Sequence, residues 1–172
     1  MRARKPITIR RAAAADAGNI RALQDAAFRI ETRADYEPDD VESFLSHAGT
    51  LEDGLIEENT YFVAEIEGEI VASGGWSARQ AAFETYIRSG SAAPAGSAVI
   101  RGVYVDPAYA ATGLAQRLVG VIEAGIASCG YAGAYLATTY TGMPFFTSAG
   151  YKPCNLVSLA FPDGNELHGV SQ

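Results

Sequence analysis

Apolar and polar positions alternate over residues 7–11 as they do in a half-buried strand. After Asp16 the period changes, and Ile20, Leu23, Ala27 and Ile30 recur at helical spacing, so a first strand leads into a first helix. Residues 35–38 interrupt that pattern. Val41, Phe44 and Leu45 mark a second helix, and residues 51–58 read as a further short one. The β-rich runs at 61–66 and 70–76 flank Glu67-Gly68-Glu69, which predicts an antiparallel hairpin. A fourth strand at 98–105 is stopped by Asp106-Pro107, and residues 114–127 place Leu118, Val121, Ile122 and Ile126 on one helical face. Beyond Cys129-Gly130, residues 132–138 predict a fifth strand and 143–149 a short helix. A strand at 156–161 then ends in the Pro162-Asp163-Gly164 turn. Residues 166–170 can pair as a last strand that ends almost at once, leaving an edge that a second copy of the chain could cover in a homodimer.

Length and composition narrow the class. A chain of 172 residues with 48% hydrophobic and 19% charged residues reads as one mixed domain spanning 1–172, and the Gly, Ala, Ser and Pro at 89–97 read as a loop within it. Cys129 and Cys154 form no CxxC pair and have no histidine cluster beside them, so neither a metal site nor a disulfide framework is expected. With no apolar h-region after the basic start and no run long enough to span a bilayer, the expected setting is cytoplasmic, without a membrane partner. A net charge of −7 excludes a nucleic-acid backbone as main partner and suits a cationic acceptor.

Candidate chemistry concentrates in residues 101–126, where a strand breaks at Asp-Pro, a small-residue turn follows, and a helix begins near Thr112 or Gly113. Helix N-termini present unpaired N–H groups and the positive end of a dipole, so a turn of Ala, Gly and Thr forms a backbone cradle for a pyrophosphate. Gly and Ala also occur in strand-to-helix connections simply for packing. The turn lacks both the GK[ST] ending of a Walker A loop and a GxGxxG fingerprint.

At this point the sequence resembles the GNAT superfamily of acyl-CoA N-acyltransferases, in order from Ile7 to Phe161. The family's V-x-V-x-P strand end matches Val103, Val105 and Pro107, and its R/Q-x-x-G-x-G/A turn aligns with Ala110, Gly113 and Ala115. Its [FL]-Y-x-x-x-G-[FY] signature falls on Phe145, Phe146, Gly150 and Tyr151. The resemblance implies an α/β (α+β) GNAT fold: a central mixed, mostly antiparallel sheet of about six to seven strands, splayed between the fourth and fifth, with about four flanking helices. It also implies acetyl-CoA as cosubstrate and no metal. Contacts to it are implied at Val103, Tyr104, Val105, Ala110, Ala111, Thr112, Gly113, Leu114, Ala115, Gln116, Thr139 and Phe146.

Two departures matter for chemistry. Ala110 stands where the family has Arg or Gln, so a pyrophosphate would rely on backbone donors, and Phe146 stands at the frequent tyrosine acid and has no proton to donate. The implied reaction is direct attack of a primary amine, of a small molecule or peptide, on the thioester in a ternary complex. Tyr140 is the candidate proton donor, with Tyr151 as a second, and Glu84 the candidate base, beside His47 and Glu65. Tyr36, Trp76 and Arg101 are the candidate acceptor contacts, Arg101 because an arginine in an apolar strand must find a carboxylate or a polar cleft. The competing function is a GNAT-fold module that binds acyl-CoA or a protein without turnover.

Overall fold

The computed structural model describes residues 5–90 and 93–172. Four strands, β1 (Ile7–Arg11), β2 (Tyr61–Ile66), β3 (Glu69–Ser77) and β5 (Val99–Val105), form an antiparallel sheet in the order β1-β2-β3-β5. A second antiparallel sheet has the order β4-β7-β8-β6, from β4 (Ile87–Ser89), β6 (Ala137–Thr138), β7 (Asn155–Ala160) and β8 (Glu166–Ser171). Four helices complete the fold: α1 (Ala17–Thr32), α2 (Pro38–His47), α3 (Leu114–Ser128) and α4 (Met143–Ser148). Among the described residues, eight strands thus replace the six to seven expected.

The helices divide between the faces of the first sheet. On one side α3 lays Leu114, Leu118, Ile122 and Ile126, spaced by four, against β2, β3 and β5. Each buried apolar side chain of this kind contributes about 1.5–3 kcal/mol. On the other side α1 covers β3 and β5, and Ile20 joins Leu51, Leu55, Tyr61 and Val63 in a second cluster. A third cluster sets Phe28 and Val41 of the first two helices against Val157, Leu159 and Leu167 of the second sheet.

Three differences from the sequence reading have physical causes. The 51–58 stretch closes only a single 3₁₀ turn at Ile56–Glu58, ended by Asn59 in the left-handed region at φ 65°. Within 132–138 only Ala137–Thr138 holds a ladder, because this strand leaves its neighbour β5 after one bridge, Val99 to Tyr135. The last strand is not an edge: β8 lies between β7 and β6.

Candidate active site

The gap between the two sheets is the site. At its closed end, the Ile100 N–H donates to Tyr135 O at 2.8 Å and the Tyr135 N–H to Ala98 O at 2.9 Å. Past Ile100 no strand among the described residues pairs with β5 on that side, while β6 turns to β8. A bulge sharpens the divergence. Ser73 and Gly75 of β3 face Tyr104 and Arg101 of β5, so β5 carries one extra residue there, and Gly102 takes it up at φ +63°. The bulge rests on a buried polar support: the Gln24 amide donates to Tyr61 Oη at 2.5 Å and to Ser73 Oγ at 2.9 Å, and the Tyr61 hydroxyl donates to Gly102 O at 3.2 Å.

A cavity of about 320 Å³ opens in this gap. Its walls are residues 100–105 of β5 and 136–139 at β6. One end reaches Ala115, Phe145 and Phe146 beside α3 and α4, and the other reaches Phe28, Phe44, Phe83, Val157 and Leu159 of the third cluster. The cavity therefore joins the two faces of the fold through the splay.

Two ionisable side chains interrupt the apolar walls near β5 and α1. Glu31, in the last turn of α1, lines the cavity, and Thr139 Oγ1 donates to its Oε1 at 2.6 Å. Burial pushes the Glu31 carboxyl above its ordinary value of 4.5, and the Thr139 hydrogen bond only partly opposes that shift. Arg101 also lines the cavity and is 7% exposed, with Nη1 donating to Glu52 Oε2 at 2.8 Å. Beside Thr139, the rings of Tyr36 and Tyr140 stack at 5.8 Å. The Tyr36 hydroxyl donates to His168 O at 2.6 Å and accepts from the Tyr140 N–H at 2.9 Å. Burial pushes the Tyr36 hydroxyl up to about 12, so it keeps its proton.

Beyond β5, Asp106 caps a 3₁₀ turn at Pro107–Tyr109 by accepting from the Ala108 N–H at 2.9 Å. Ala111 (φ 58°) and Gly113 (φ 80°) then both adopt the left-handed region immediately before α3. The first N–H groups of α3, which begins directly after this turn, have no intrahelical acceptor. A Cβ built on Gly113 meets nothing within 4 Å, so the space beside the turn is open. The turn fits a pyrophosphate held by backbone. Arg117, one turn into α3, is exposed and makes no ion pair among the described residues.

A family model for the acetyltransferase (GNAT) family matches residues 20–151, most of the chain. This chain belongs to the GNAT acetyltransferase family. Solved structures agree on the fold. A GCN5-related N-acetyltransferase from Rhodopseudomonas palustris superposes with a TM-score of 0.73 at 18% identity, over 99% of this chain and 96% of that one. The PaiA N-acetyltransferase from Thermoplasma acidophilum, in complex with coenzyme A, gives 0.68 at 14% identity over 97% and 98%. A GNAT family acetyltransferase from Brucella melitensis, in complex with acetyl-CoA, gives 0.57 at 23% identity over 95% and 96%. No curated protein matches the chain at a significant level.

Within this GNAT fold the residues singled out from sequence separate into groups. Val103, Tyr104, Val105, Ala115, Thr139 and Phe146 line the cavity with Arg101. Ala110, Ala111, Thr112 and Gly113 form the turn, and Leu114 and Gln116 open α3. The Thr112 hydroxyl is turned inward, donating to Tyr109 O at 2.6 Å. Tyr36 and Tyr140 come together next to Thr139, and neither lines the cavity. Trp76 does not reach the cavity: its register partner is Ile100, on the α3 side, where it packs edge-on against Tyr131 at 5.5 Å. Glu84 sits on the 3₁₀ turn Ala82–Tyr86, whose Phe83 lines the cavity while Glu84 does not.

The other base and acid candidates are engaged elsewhere. His47 stacks on Phe161 at 5.6 Å, and Glu65 pairs with Arg10 at 2.7 Å. The Tyr151 hydroxyl donates to Glu123 Oε1 at 2.8 Å, outside the cavity. Glu31 is not among the candidates read from sequence. Its only sequence trace is a carboxylate one residue past Ile30 in an otherwise ordinary amphipathic helix. Among the described residues no group of three or more His, Cys, Asp or Glu could hold a metal ion, and no helix is long and apolar enough to cross a membrane.

Proposed function

We propose that the chain is an N-acetyltransferase that moves an acetyl group from acetyl-CoA to a primary amine by direct attack in a ternary complex. The observation that carries this reading is the continuous cavity that runs through the splay, from Ala115 in the first turn of α3 to a pocket holding a buried carboxyl. Bound acetyl-CoA supplies an activated thioester. The chain's own residues do the rest.

On the first face, the unpaired N–H groups at the start of α3 hold the pyrophosphate, and Arg117 supplies the nearby cation that Ala110 lacks. Along β5, backbone donors without a strand partner direct the pantetheine and polarise the thioester carbonyl. On the second face, Glu31 accepts a proton from the amine as its nitrogen bonds to the carbonyl carbon and the carbon–sulfur bond breaks. A carboxyl raised by burial is a better proton acceptor than an ordinary one, and Thr139 fixes which oxygen is free. Tyr140, held by its stack on Tyr36, returns a proton to the departing sulfur. Glu31 takes in this scheme the role that the sequence reading assigns to Glu84.

Thermal unfolding tests the reading directly. At a hundredfold excess over Kd, acetyl-CoA should stabilise the chain by about 2.7 kcal/mol, a rise of a few degrees in Tm, with NAD as a control that produces none. A screen of amines by thiol release follows. No shift at millimolar acetyl-CoA would replace this reading with the non-catalytic one.

A further inference from the structure

Arg101 is the one buried Arg or Lys side chain among the described residues. It stands opposite Gly75 on β5, and Glu52 holds it at a single nitrogen, Nη1. Glu52 is itself fixed by the Ala82 N–H, which donates to Oε1 at 2.5 Å. The remaining two nitrogens, Nε and Nη2, are buried with no hydrogen-bond partner. They share one edge of the guanidinium, where two parallel N–H bonds are spaced to meet both oxygens of a carboxylate. Charged donors buried without acceptors are unfavourable, and Arg101 lines the cavity, from which a bound group can complete this edge.

Charge and shape narrow what that is. Arg101 and Glu52 cancel, so a monoanion at the free edge adds one net negative charge and a doubly charged phosphate adds two, the larger repulsion in a protein of net charge −7. The walls on this side of the cavity, Phe28, Phe44, Phe83, Val157 and Leu159, favour an apolar body. Glu31 lines the same cavity and suits an ammonium. We propose that the acceptor is an amine that carries a carboxylate on an apolar body, an amino-acid-like compound whose carboxylate is received by the Nε–Nη2 edge of Arg101. This rests on the acetyl-transfer reading above.

The test compares CoA release, with acetyl-CoA present, for paired acceptors: L-phenylalanine with phenethylamine, L-leucine with isopentylamine, and 6-aminohexanoate with hexylamine. A charge-assisted bidentate contact should favour the acid in at least one pair by about tenfold or more in kcat/KM. In Arg101→Lys, which keeps the charge beside Glu52 but loses the fork, that ratio should fall toward one. Amines that react as fast as their acids, in every pair that turns over, would overturn the proposal. If no pair turns over, thermal unfolding with 3-phenylpropionate at about 10 mM decides: a rise in Tm that Arg101→Lys abolishes supports the site, and no rise in the wild type overturns it. Acetyl-CoA stabilisation, measured alongside, separates the two levels, since its absence undermines acetyl transfer while its presence with no carboxylate preference undermines only the acceptor class.

Discussion

Replacing Glu31 with glutamine separates a catalytic carboxyl from a structural one, because activity and stability should move in opposite directions. The amide that replaces the carboxyl would keep an oxygen to accept from Thr139 and would remove the ability to take a proton. If Glu31 is the base, Glu31→Gln should lower kcat/KM by about 10²–10⁴-fold, equivalent to about 3–5 kcal/mol of barrier. The stability sign follows from the raised carboxyl. Burial lifts the folded-state value above 4.5, so between 4.5 and that raised value the folded chain binds more protons than the unfolded one. Stability therefore falls as pH rises through this window, and the ionised carboxyl remains unfavourable above it. Glu31→Gln should consequently be at least as stable as the wild type at neutral pH in urea unfolding, with the difference shrinking as pH drops below 4.5. The wild-type profile of kcat/KM should show a limb rising with pH at a value above that of an ordinary carboxylate. The variant should lack this limb but keep the one set by the acceptor amine. A rate within about threefold of wild type and an unchanged limb would refute the assignment.

Two glycines give sharper structural predictions. Gly102→Ala should destabilise by about 2–5 kcal/mol in urea unfolding, because its φ is +63° and its new Cβ would overlap Tyr61 Oη, the group that supports the bulge. Gly113→Val should cost only about 1–3 kcal/mol, through its φ of +80° in otherwise open space, yet it should remove most of the thermal stabilisation by CoA, because a branched side chain would occupy the space beside the turn that the pyrophosphate needs. Loss of stability without loss of the CoA-induced shift would mean that this turn does not hold the pyrophosphate.

Much of the cofactor side is legible in the sequence because its signals are local. The β-branched run, the Asp-Pro stop and the four-residue spacing of α3 lie within one contiguous stretch, and β5 and α3 form within a residue or so of their predicted ends. The acceptor side is less legible because it is assembled from distant segments. Glu31 becomes special only when Thr139, more than a hundred residues later, closes over it. The sequence reading puts Trp76 at the site and passes over Glu31, since nothing in a strand's own sequence says which face meets the cleft. The register with Ile100 decides that, and a bulge two residues away shifts it. The strand β4, three residues paired to Leu159 and Ser158 of β7, is too short for any period to register.

The same defect in strand pairing accounts for both the misread segment and the site. A strand over the whole of 132–138 would have needed β5 as its ladder partner, and continuous pairing there would have filled the gap with backbone hydrogen bonds. Instead the extra residue at Gly102 bends β5 away after Ile100, and Leu136 pairs with Gln172 while β6 turns to β8. The backbone donors freed along β5 are what a thioester and its amide chain can use, and the space freed between the sheets is what joins Ala115, at the start of α3, to Glu31 and Arg101. The Gln24–Tyr61–Ser73 network beneath Gly102 is thus as much part of the site as the residues that line it. A buried polar cluster there is tolerated because it holds open a gap that apolar packing alone would tend to close.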